Sequence, residues 1–189
     1  MYYEFHQSVN SGDRNKINVA VSLLQSKLGQ CVKFVQRSSG PRVMVQSVNG
    51  KGCAAYVGYI GVKQTVQLES SFCMTTGTIQ HEFLHATGIL HHQSRSDRDS
   101  HVRVLENNII TGEESNFKKY DPNQVSHYGL PYDFLSVMHY GKNFFSKDRL
   151  NTIEAIDSYW TDKIGQREGV SLWDVQLVQN HYGCSGIMI

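Results

Sequence analysis

Residues 81–91 have the sequence HEFLHATGILH. His81 and His85 are four positions apart, so on a helix both side chains lie on one face and can bind one metal ion. Gly88 tolerates a positive φ that other residues resist, so the helix can end there and the chain can turn. Such a turn would bring His91 back as a third ligand. Three imidazoles leave a coordination position open for water, which is typical of a catalytic zinc ion.

An acid follows the first of these ligands. Glu82 can reach a water molecule held by the metal and take a proton from it during attack on a peptide carbonyl. The shorter pattern HExxH also occurs by accident, as two surface histidines beside a helix-favouring glutamate. The added glycine and third histidine, at fixed spacing, favour the metal site over that alternative.

A second motif lies about fifty residues later, where residues 136–141 read SVMHYG. This segment is similar to the Met-turn that accompanies the extended zinc motif in metzincins. On that interpretation the thioether of Met138 forms an apolar floor under the imidazoles, and Tyr140 lies near the metal. The alternative is a short apolar strand with a methionine in the core, which is common.

Together the motifs resemble those of one metzincin family, the astacins. The astacin zinc motif continues as E-x-x-R-x-D-R-D, and residues 92–99 read HQSRSDRD, which differs only at the first position. The S-x-M-H-Y form of the Met-turn also matches, as does IGQR at residues 164–167. The 4 cysteines fall where the family has four. The resemblance covers nearly the whole chain.

The resemblance implies an α/β (α+β) zincin fold in a single catalytic domain, residues 1–189. An upper half, about residues 1–90, would contain a twisted sheet and two helices, one of them the zinc helix. A lower half, about residues 91–189, would be irregular and end in a final helix, with the active-site cleft between the halves. The charged residues from Arg95 to Asp99 would hold the chain after the third ligand through ion pairs and backbone hydrogen bonds.

The resemblance also implies a function, which is zinc-dependent cleavage of peptide bonds inside proteins. One zinc ion would be held by the three histidines and, at rest, by Tyr140, whose phenol later donates a hydrogen bond to the oxyanion. Arg167 would lie by the pocket just past the scissile bond and favour acidic substrate residues. A solvated surface arginine is the alternative for Arg167. The competing class of protein is a non-catalytic zincin-fold binder with a structural metal, but such a site has no use for Glu82.

The cysteines Cys31, Cys53, Cys73 and Cys184 allow three pairings, and the spacing alone does not choose among them. The resemblance implies that Cys31 pairs with Cys184 and that Cys53 pairs with Cys73. Four free thiols, as in a cytosolic protein, are the alternative. Disulfides indicate an oxidising compartment, so we expect a secreted protein. No signal peptide is visible, because the chain opens directly on residues 1–5, MYYEF, whose pattern predicts a strand, so we expect a mature or recombinant fragment.

Length and composition limit the classes of partner that this chain is expected to bind. A chain of 189 residues with a net charge of +1 has no basic stripe for nucleic acid, and no apolar run approaches the length of a membrane span. Protein or peptide substrates are therefore the expected partners, with a pro-segment or further domains possible outside the fragment. His92 stands where astacins have a glutamate that contacts the new N-terminus after pro-segment removal, so that contact is not expected here.

Periodicity predicts the elements that carry these motifs. We expect helices over residues 13–29 (capped by Ser11 or Asp13), 77–87 and 171–182, and strands over residues 31–36, 42–48, 54–60 and 63–68. The last strand alternates and precedes the zinc helix. By analogy with metzincins we interpret it as an edge strand that lines the cleft, where Thr65 and Gln67 would bind an extended substrate. An interior strand would show the same alternation.

Overall fold

The computed structural model describes residues 1–184, so residues 185–189 of the predicted domain lie outside the described part of the chain. The chain divides into two compact units, which are residues 1–89 together with the residues from 167 onward, and residues 90–166. The prediction that everything after residue 91 forms the lower half was therefore wrong for the C-terminal segment. That segment belongs to the first unit because its helix packs on an N-terminal helix and a disulfide ties it there.

A five-stranded sheet forms the centre of the first unit. Its strands, in chain order, are β1 (Tyr2–Phe5), β2 (Val35–Gln36), β3 (Val43–Gln46), β4 (Cys53–Ala55) and β5 (Gln64–Leu68). In space the order is β2-β1-β3-β5-β4, and all neighbours are parallel except β4 and β5. Strand β3 is fully buried along most of its length, as expected for a strand covered on both faces.

The position of β5 corrects the prediction of an edge strand. This strand pairs with β3 on one side and with β4 on the other, so it is an interior strand. The edge on that side of the sheet is β4, which is antiparallel to its neighbour. Alternation misled the prediction because it reports the two faces of a strand and carries no information about hydrogen-bonded neighbours.

Three helices complete the first unit: α1 (Ser11–Leu28), α2 (Thr76–Ala86) and α3 (Leu172–His181). Helix α1 packs against both of the others. Its N-terminus is capped by Asn10, whose side chain accepts a hydrogen bond from the backbone N–H of Asp13, so the prediction of Ser11 or Asp13 as the cap was wrong. Within the described residues, no helix is both long and apolar enough to cross a membrane.

The second unit contains little regular secondary structure, in agreement with the prediction. Its strands β6 (Val102–Val104) and β7 (Ile153–Ala155) form a two-stranded antiparallel sheet, and short 3-10 turns link the rest. A separate apolar cluster fills its interior, and the buried members are Val102, Ile109, Phe117, Tyr132, Tyr140, Ile153 and Ile164.

Two buried arginines fix the path of the chain in the second unit. Arg95 pairs with Asp97 and also donates to the backbone carbonyls of residues 130 and 131. Arg98 donates to the carbonyls of Gln93 and Phe117. Charged donors make strong hydrogen bonds to carbonyl groups in a buried setting. The expectation that this charged segment holds the chain after the third histidine is confirmed.

Both predicted disulfides are present, Cys31–Cys184 and Cys53–Cys73. They lie within the first unit, and no cysteine is left free. The first bond closes a loop of 153 residues and joins the end of α1 to the segment after α3. The pairing agrees with what the resemblance implied.

Candidate active site

Helix α2 positions the first two metal ligands. Thr75 caps the helix, because its side-chain oxygen accepts a hydrogen bond from the backbone N–H of Thr78. Almost every residue from Gly77 to Ala86 is buried, so the helix is fixed on all sides. His81 and His85 stand one turn apart, with their ring centroids separated by 4.6 Å.

The end of α2 is shaped by glycine. Gly88 has a φ of 97°, which a residue with a side chain rarely adopts. The N–H of Gly88 donates to the carbonyl of His85, and the next N–H donates to the carbonyl of Leu84. These bonds satisfy the last helical carbonyls while the chain turns away. The helix therefore ends where the sequence predicted.

The turn brings the third histidine to the first two. One ring nitrogen from each of His81, His85 and His91 lies within 4.8 Å of the others. All three belong to one stretch of eleven residues, residues 81–91. Among the His, Cys, Asp and Glu residues that the structure describes, no fourth ligand joins these three imidazoles. Such a set of donors fits a catalytic zinc ion better than a closed structural one.

The surroundings of His85 leave one of its ring nitrogens able to bind a metal ion. Its Nδ1 lies 2.8 Å from the carbonyl oxygen of Ile89, which can only accept, so Nδ1 carries the proton. Nε2 then keeps a lone pair for the ion, an arrangement that usually orients a zinc ligand. Burial lowers the pKa of His85 to about 4, so the ring stays neutral at physiological pH.

Glu82 is the buried acid of the site. Only 4% of the residue is exposed, and its Oε2 has no hydrogen-bond partner in the described part of the chain. Burial raises the pKa of Glu82 to about 8, and the positive charge of Arg167 opposes that rise. A buried carboxyl oxygen without a partner is costly unless another molecule, such as water or substrate, binds it.

Arg167 lies close to the start of α2. Its backbone carbonyl accepts a hydrogen bond of 3.0 Å from the N–H of Gly77. A Cβ atom at Gly77 would stand 2.1 Å from that oxygen, so glycine is required for the approach. The charge of Arg167 acts on both Glu82 and His85, which brings the predicted specificity residue into the electrostatic surroundings of the candidate site.

In the second unit, Tyr140 packs against the third ligand. The ring centroids of His91 and Tyr140 are 4.5 Å apart, and Tyr140 is buried. Met138 is fully buried and accepts a hydrogen bond on its carbonyl from the N–H of His92. The Met-turn backbone therefore supports the segment that begins with the third histidine. The roles of the Met138 thioether and of the Tyr140 phenol stay predictions.

The sequence did not reveal a set of buried polar contacts behind this segment. His92 accepts a hydrogen bond from the N–H of Asp133, and burial holds its pKa well below the ordinary value, so it is neutral. The ring of His139 donates from Nδ1 to the carbonyl of Tyr140 and accepts on Nε2 from the hydroxyl of Tyr132. Both ring nitrogens of His139 therefore bond to protein groups. In the sequence, these contacts were indicated only by His92, which stands where astacins have a glutamate.

The structure gives no support to Thr65 and Gln67 as substrate-binding residues. Both lie on the interior strand β5, which pairs with β3 over residues 64–67 and with β4 over residues 66–68. Gln67 is buried, and its amide donates to the carbonyl of Val48. The edge available for pairing on that side of the sheet belongs to β4.

Comparison with known proteins agrees with these motifs. The family model described as Astacin, a peptidase family, matches residues 1–183. The chain is 38% identical to the zinc metalloproteinase nas-13 of Caenorhabditis elegans over 182 residues, which is 96% of this chain and 39% of that protein. It is 37% identical to the low choriolytic enzyme of Oryzias latipes, over 96% of this chain and 65% of that protein.

A solved structure extends the comparison to the fold. High choriolytic enzyme 1, a hatching-enzyme zinc protease of medaka fish, superposes with a TM-score of 0.86 at 35% identity. The match covers 97% of this chain and 89% of that chain. Among the Caenorhabditis relatives nas-13, nas-4 and nas-38, the chain spans 39%, 50% and 25% of their lengths. It therefore corresponds to one part of those longer proteins.

Proposed function

The chain belongs to the astacin family of zinc metallopeptidases, and from that premise we propose that it is an endopeptidase that hydrolyses peptide bonds within proteins. The observation that carries the proposal is the convergence of three histidine nitrogens within 4.8 Å, next in sequence to a buried glutamate with an unpartnered oxygen. We take residues 1–189 to be a single catalytic domain with protein or peptide substrates.

His81, His85 and His91 would hold one zinc ion. When bound, zinc supplies Lewis-acid polarisation of the carbonyl and lowers the pKa of water to about 7. The neutral state of His85, imposed by burial, leaves its nitrogen available for that task at physiological pH. The hydrogen bond from His85 to the carbonyl of Ile89 keeps the ring oriented.

Glu82 would act as general base and then as general acid. Its unpartnered Oε2 can accept a proton from the attacking water and later donate it to the leaving amine. A carboxyl whose pKa lies near neutrality can perform both transfers, and burial moves the pKa of Glu82 in that direction. A nearby cation would lower that pKa again, so Glu82 would be ionised in the loaded enzyme before catalysis.

Tyr140 would complete the site. Its ring packs on His91, and it is fixed by neighbouring aromatic rings of Phe117, Phe144 and Phe145. We propose that its phenol helps to hold the metal at rest and donates a hydrogen bond to the carbonyl oxygen of the substrate as negative charge develops there. The backbone N–H of Tyr140 donates to the side-chain oxygen of Gln93, which holds the backbone at this residue.

Arg167 would recognise an acidic substrate residue just after the scissile bond. Its charge already acts on Glu82 and His85, so an acidic side chain bound beside these residues would lie within its field. The substrate backbone would pair with the edge strand β4 and not with β5, because of these two strands only β4 has an unpaired side.

The two disulfides favour an oxidising compartment, and we propose that the protein is secreted. Further domains or a pro-segment would belong to a longer protein, since the chain spans only part of several relatives. A non-catalytic binder that keeps a structural metal is the second candidate function, and the unpartnered oxygen of Glu82 argues against it.

The decisive experiment compares wild type with Glu82→Gln in a casein assay, with and without a chelator. We expect the zinc-loaded wild type to cleave casein, the chelated protein to be inactive, and the variant to bind zinc without turnover. Removal of a general base costs at least about 10² in kcat. Equal cleavage by both proteins would exclude Glu82 as the base, and zinc binding without any cleavage by wild type would favour the binder.

Two further variants test the assignments around the site. Tyr140→Phe should keep zinc and lose mainly kcat, by roughly 10² if the phenol acts in the transition state. An unchanged kcat would remove Tyr140 from the mechanism. Arg167→Ala should abolish a preference for Asp or Glu after the cleaved bond in a peptide library, and an unchanged profile would assign Arg167 another role.

A further inference from the structure

The loop between β4 and β5 exposes an unusual run of apolar side chains. Residues 56–62 read YVGYIGV, and each of the five non-glycine residues is exposed. The exposed fractions are largest at Tyr56, Ile60 and Val62, with 63%, 58% and 56%. Single exposed apolar residues are common, whereas a contiguous apolar surface marks an interaction site.

Hydrogen bonds fix this loop in one conformation. The side chain of Gln64 donates to the carbonyl of Gly58 at 2.8 Å and accepts from the N–H of Ile60 at 3.0 Å. Gly58 has a φ of 83°, and its N–H donates to the carbonyl of His85 at 2.8 Å. The apolar side chains are therefore presented by a loop that is attached directly to a metal-ligand residue.

The loop also continues the unpaired edge of the sheet. Strand β4 ends at Ala55, and Tyr56 is the next residue. A peptide that pairs with β4 advances about 3.3 Å per residue, so any substrate of more than a few residues extends past the three-residue strand. A side chain of that peptide would then lie against the apolar loop.

We propose that residues 56–62 form an apolar subsite that selects an aliphatic or aromatic side chain in the peptide substrate. The proposal rests on the proposed endopeptidase function and names a feature of its substrates. The occupant is the substrate itself, because the loop is continuous with the edge that binds the backbone and is bonded to His85. The subsite is distinct in chemistry from the one assigned to Arg167, since one reads apolar surface and the other reads charge.

The experiment profiles cleavage of a peptide library by the zinc-loaded wild type and by Ile60→Ser and Tyr56→Ser. Ile156→Ser is the matched control, because Ile156 is an isoleucine with a similar exposed fraction, 50%, in the other unit. The library identifies the substrate position that is enriched for apolar residues. Two peptides that differ only at that position, with Leu in one and Ser in the other, are then assayed, and kcat/KM is measured for each. We expect each loop variant to lose about tenfold on the Leu peptide and to be unchanged on the Ser peptide.

Three outcomes would overturn the inference. The wild-type profile could lack apolar enrichment at every position while cleavage is normal, which would leave the endopeptidase function intact. The loop variants could lose rate equally on both peptides or no more than Ile156→Ser does. Ile60→Ser could change the sedimentation coefficient with an unchanged profile, which would assign the loop to self-association. Absence of cleavage by the wild type would instead defeat the proposed function, and this inference with it.

Discussion

The two units of the chain bury different kinds of side chain. In the first unit the large, fully buried residues are apolar and recur at helix or strand spacing, among them Ile17, Leu24, Leu28, Leu68, Ile79, Phe83 and Leu84. In residues 90–166 the buried set is rich in groups that donate or accept hydrogen bonds, including His92, Gln93, Arg95, Arg98, Asp133, Ser136, His139 and Thr152. There the polar side chains satisfy backbone groups that no helix or sheet satisfies.

The difference teaches how an irregular segment can hold a functional residue in place. A loop without ladder hydrogen bonds must find other partners for its buried carbonyls, since an unpaired one costs about 1–3 kcal/mol. Arg98 provides such a partner for the carbonyl of residue 93 and for that of residue 117, which lies 19 positions after Arg98 itself. The segment after His91 therefore depends on charged side chains for the rigidity that α2 obtains from its own backbone.

The largest effect should follow from breaking this polar network. Arg98→Met keeps apolar volume but leaves the carbonyls of Gln93 and Phe117 without their charged donor. We expect a loss of about 3–5 kcal/mol in the free energy of unfolding, measured by urea denaturation with the disulfides intact. The exposed Arg103→Met serves as the control and should change stability by less than about 0.5 kcal/mol.

Metal affinity distinguishes this variant from a generally weakened protein. Because Arg98 holds the carbonyl of Gln93, two residues after His91, we expect the folded variant to bind zinc more weakly in competition with a chelator. Unchanged zinc affinity and stability would contradict the view that polar contacts fix the second unit.

The first unit should respond to loss of apolar volume. Leu24 on α1 is fully buried, whereas its neighbour Leu23 is 47% exposed. We expect Leu24→Ala to lower the free energy of unfolding by about 3 kcal/mol, and Leu23→Ala to change it by less than about 1 kcal/mol. Zinc affinity of the folded protein should stay the same. Equal effects of the two leucines would mean that α1 does not bury the face that the structure assigns to it.

The same contrast explains which features the sequence could predict. The spacing of His81, His85 and Gly88 encodes a helix and its end, and the structure agrees because those features are local. The role of Arg98 depends on a carbonyl 19 residues away, and only the resemblance to a family indicated that the charged segment holds the chain. The neighbours of β5 and the donor to His92 are likewise non-local, and no period or spacing reports them.

One buried group in the first unit makes its stability depend on pH. The pKa of Glu82 is raised to about 8 in the folded, metal-free protein, whereas an unfolded chain has the ordinary value of 4.5. Between these values the folded state binds more protons than the unfolded state. The contribution of Glu82 to stability is therefore fully present below pH 4.5 and is lost as pH rises through about 8. We expect the Glu82 carboxyl by itself to lower the free energy of unfolding of the metal-free protein by roughly 3 kcal/mol between about pH 5 and about pH 8. The buried rings of His85 and His92, whose pKa values are lowered, change the free energy of unfolding in the opposite sense as they become neutral.

Glu82→Gln should remove this contribution of Glu82 to the pH dependence, and the exposed Glu168→Gln should retain it. Zinc should also reduce it, because a nearby cation lowers the pKa of a carboxyl group. Denaturation curves at several pH values, with chelator and with zinc, measure the effect. If wild type and Glu82→Gln respond equally to pH without metal, the carboxyl of Glu82 is not buried in solution as the structure describes.

The smallest effect concerns the start of α1, where the first unit, like the second, relies on a side chain bonded to backbone. Asn10 accepts from the N–H of Asp13 at 2.9 Å, and its amide donates to the carboxylate of Asp13 at 2.6 Å. We expect Asn10→Ala to lower the free energy of unfolding by about 1 kcal/mol, while Ser11→Ala stays near zero. If Ser11→Ala lowered the free energy of unfolding more than Asn10→Ala does, Ser11 would be the cap. The local contacts at the start of α1 would then differ from those described.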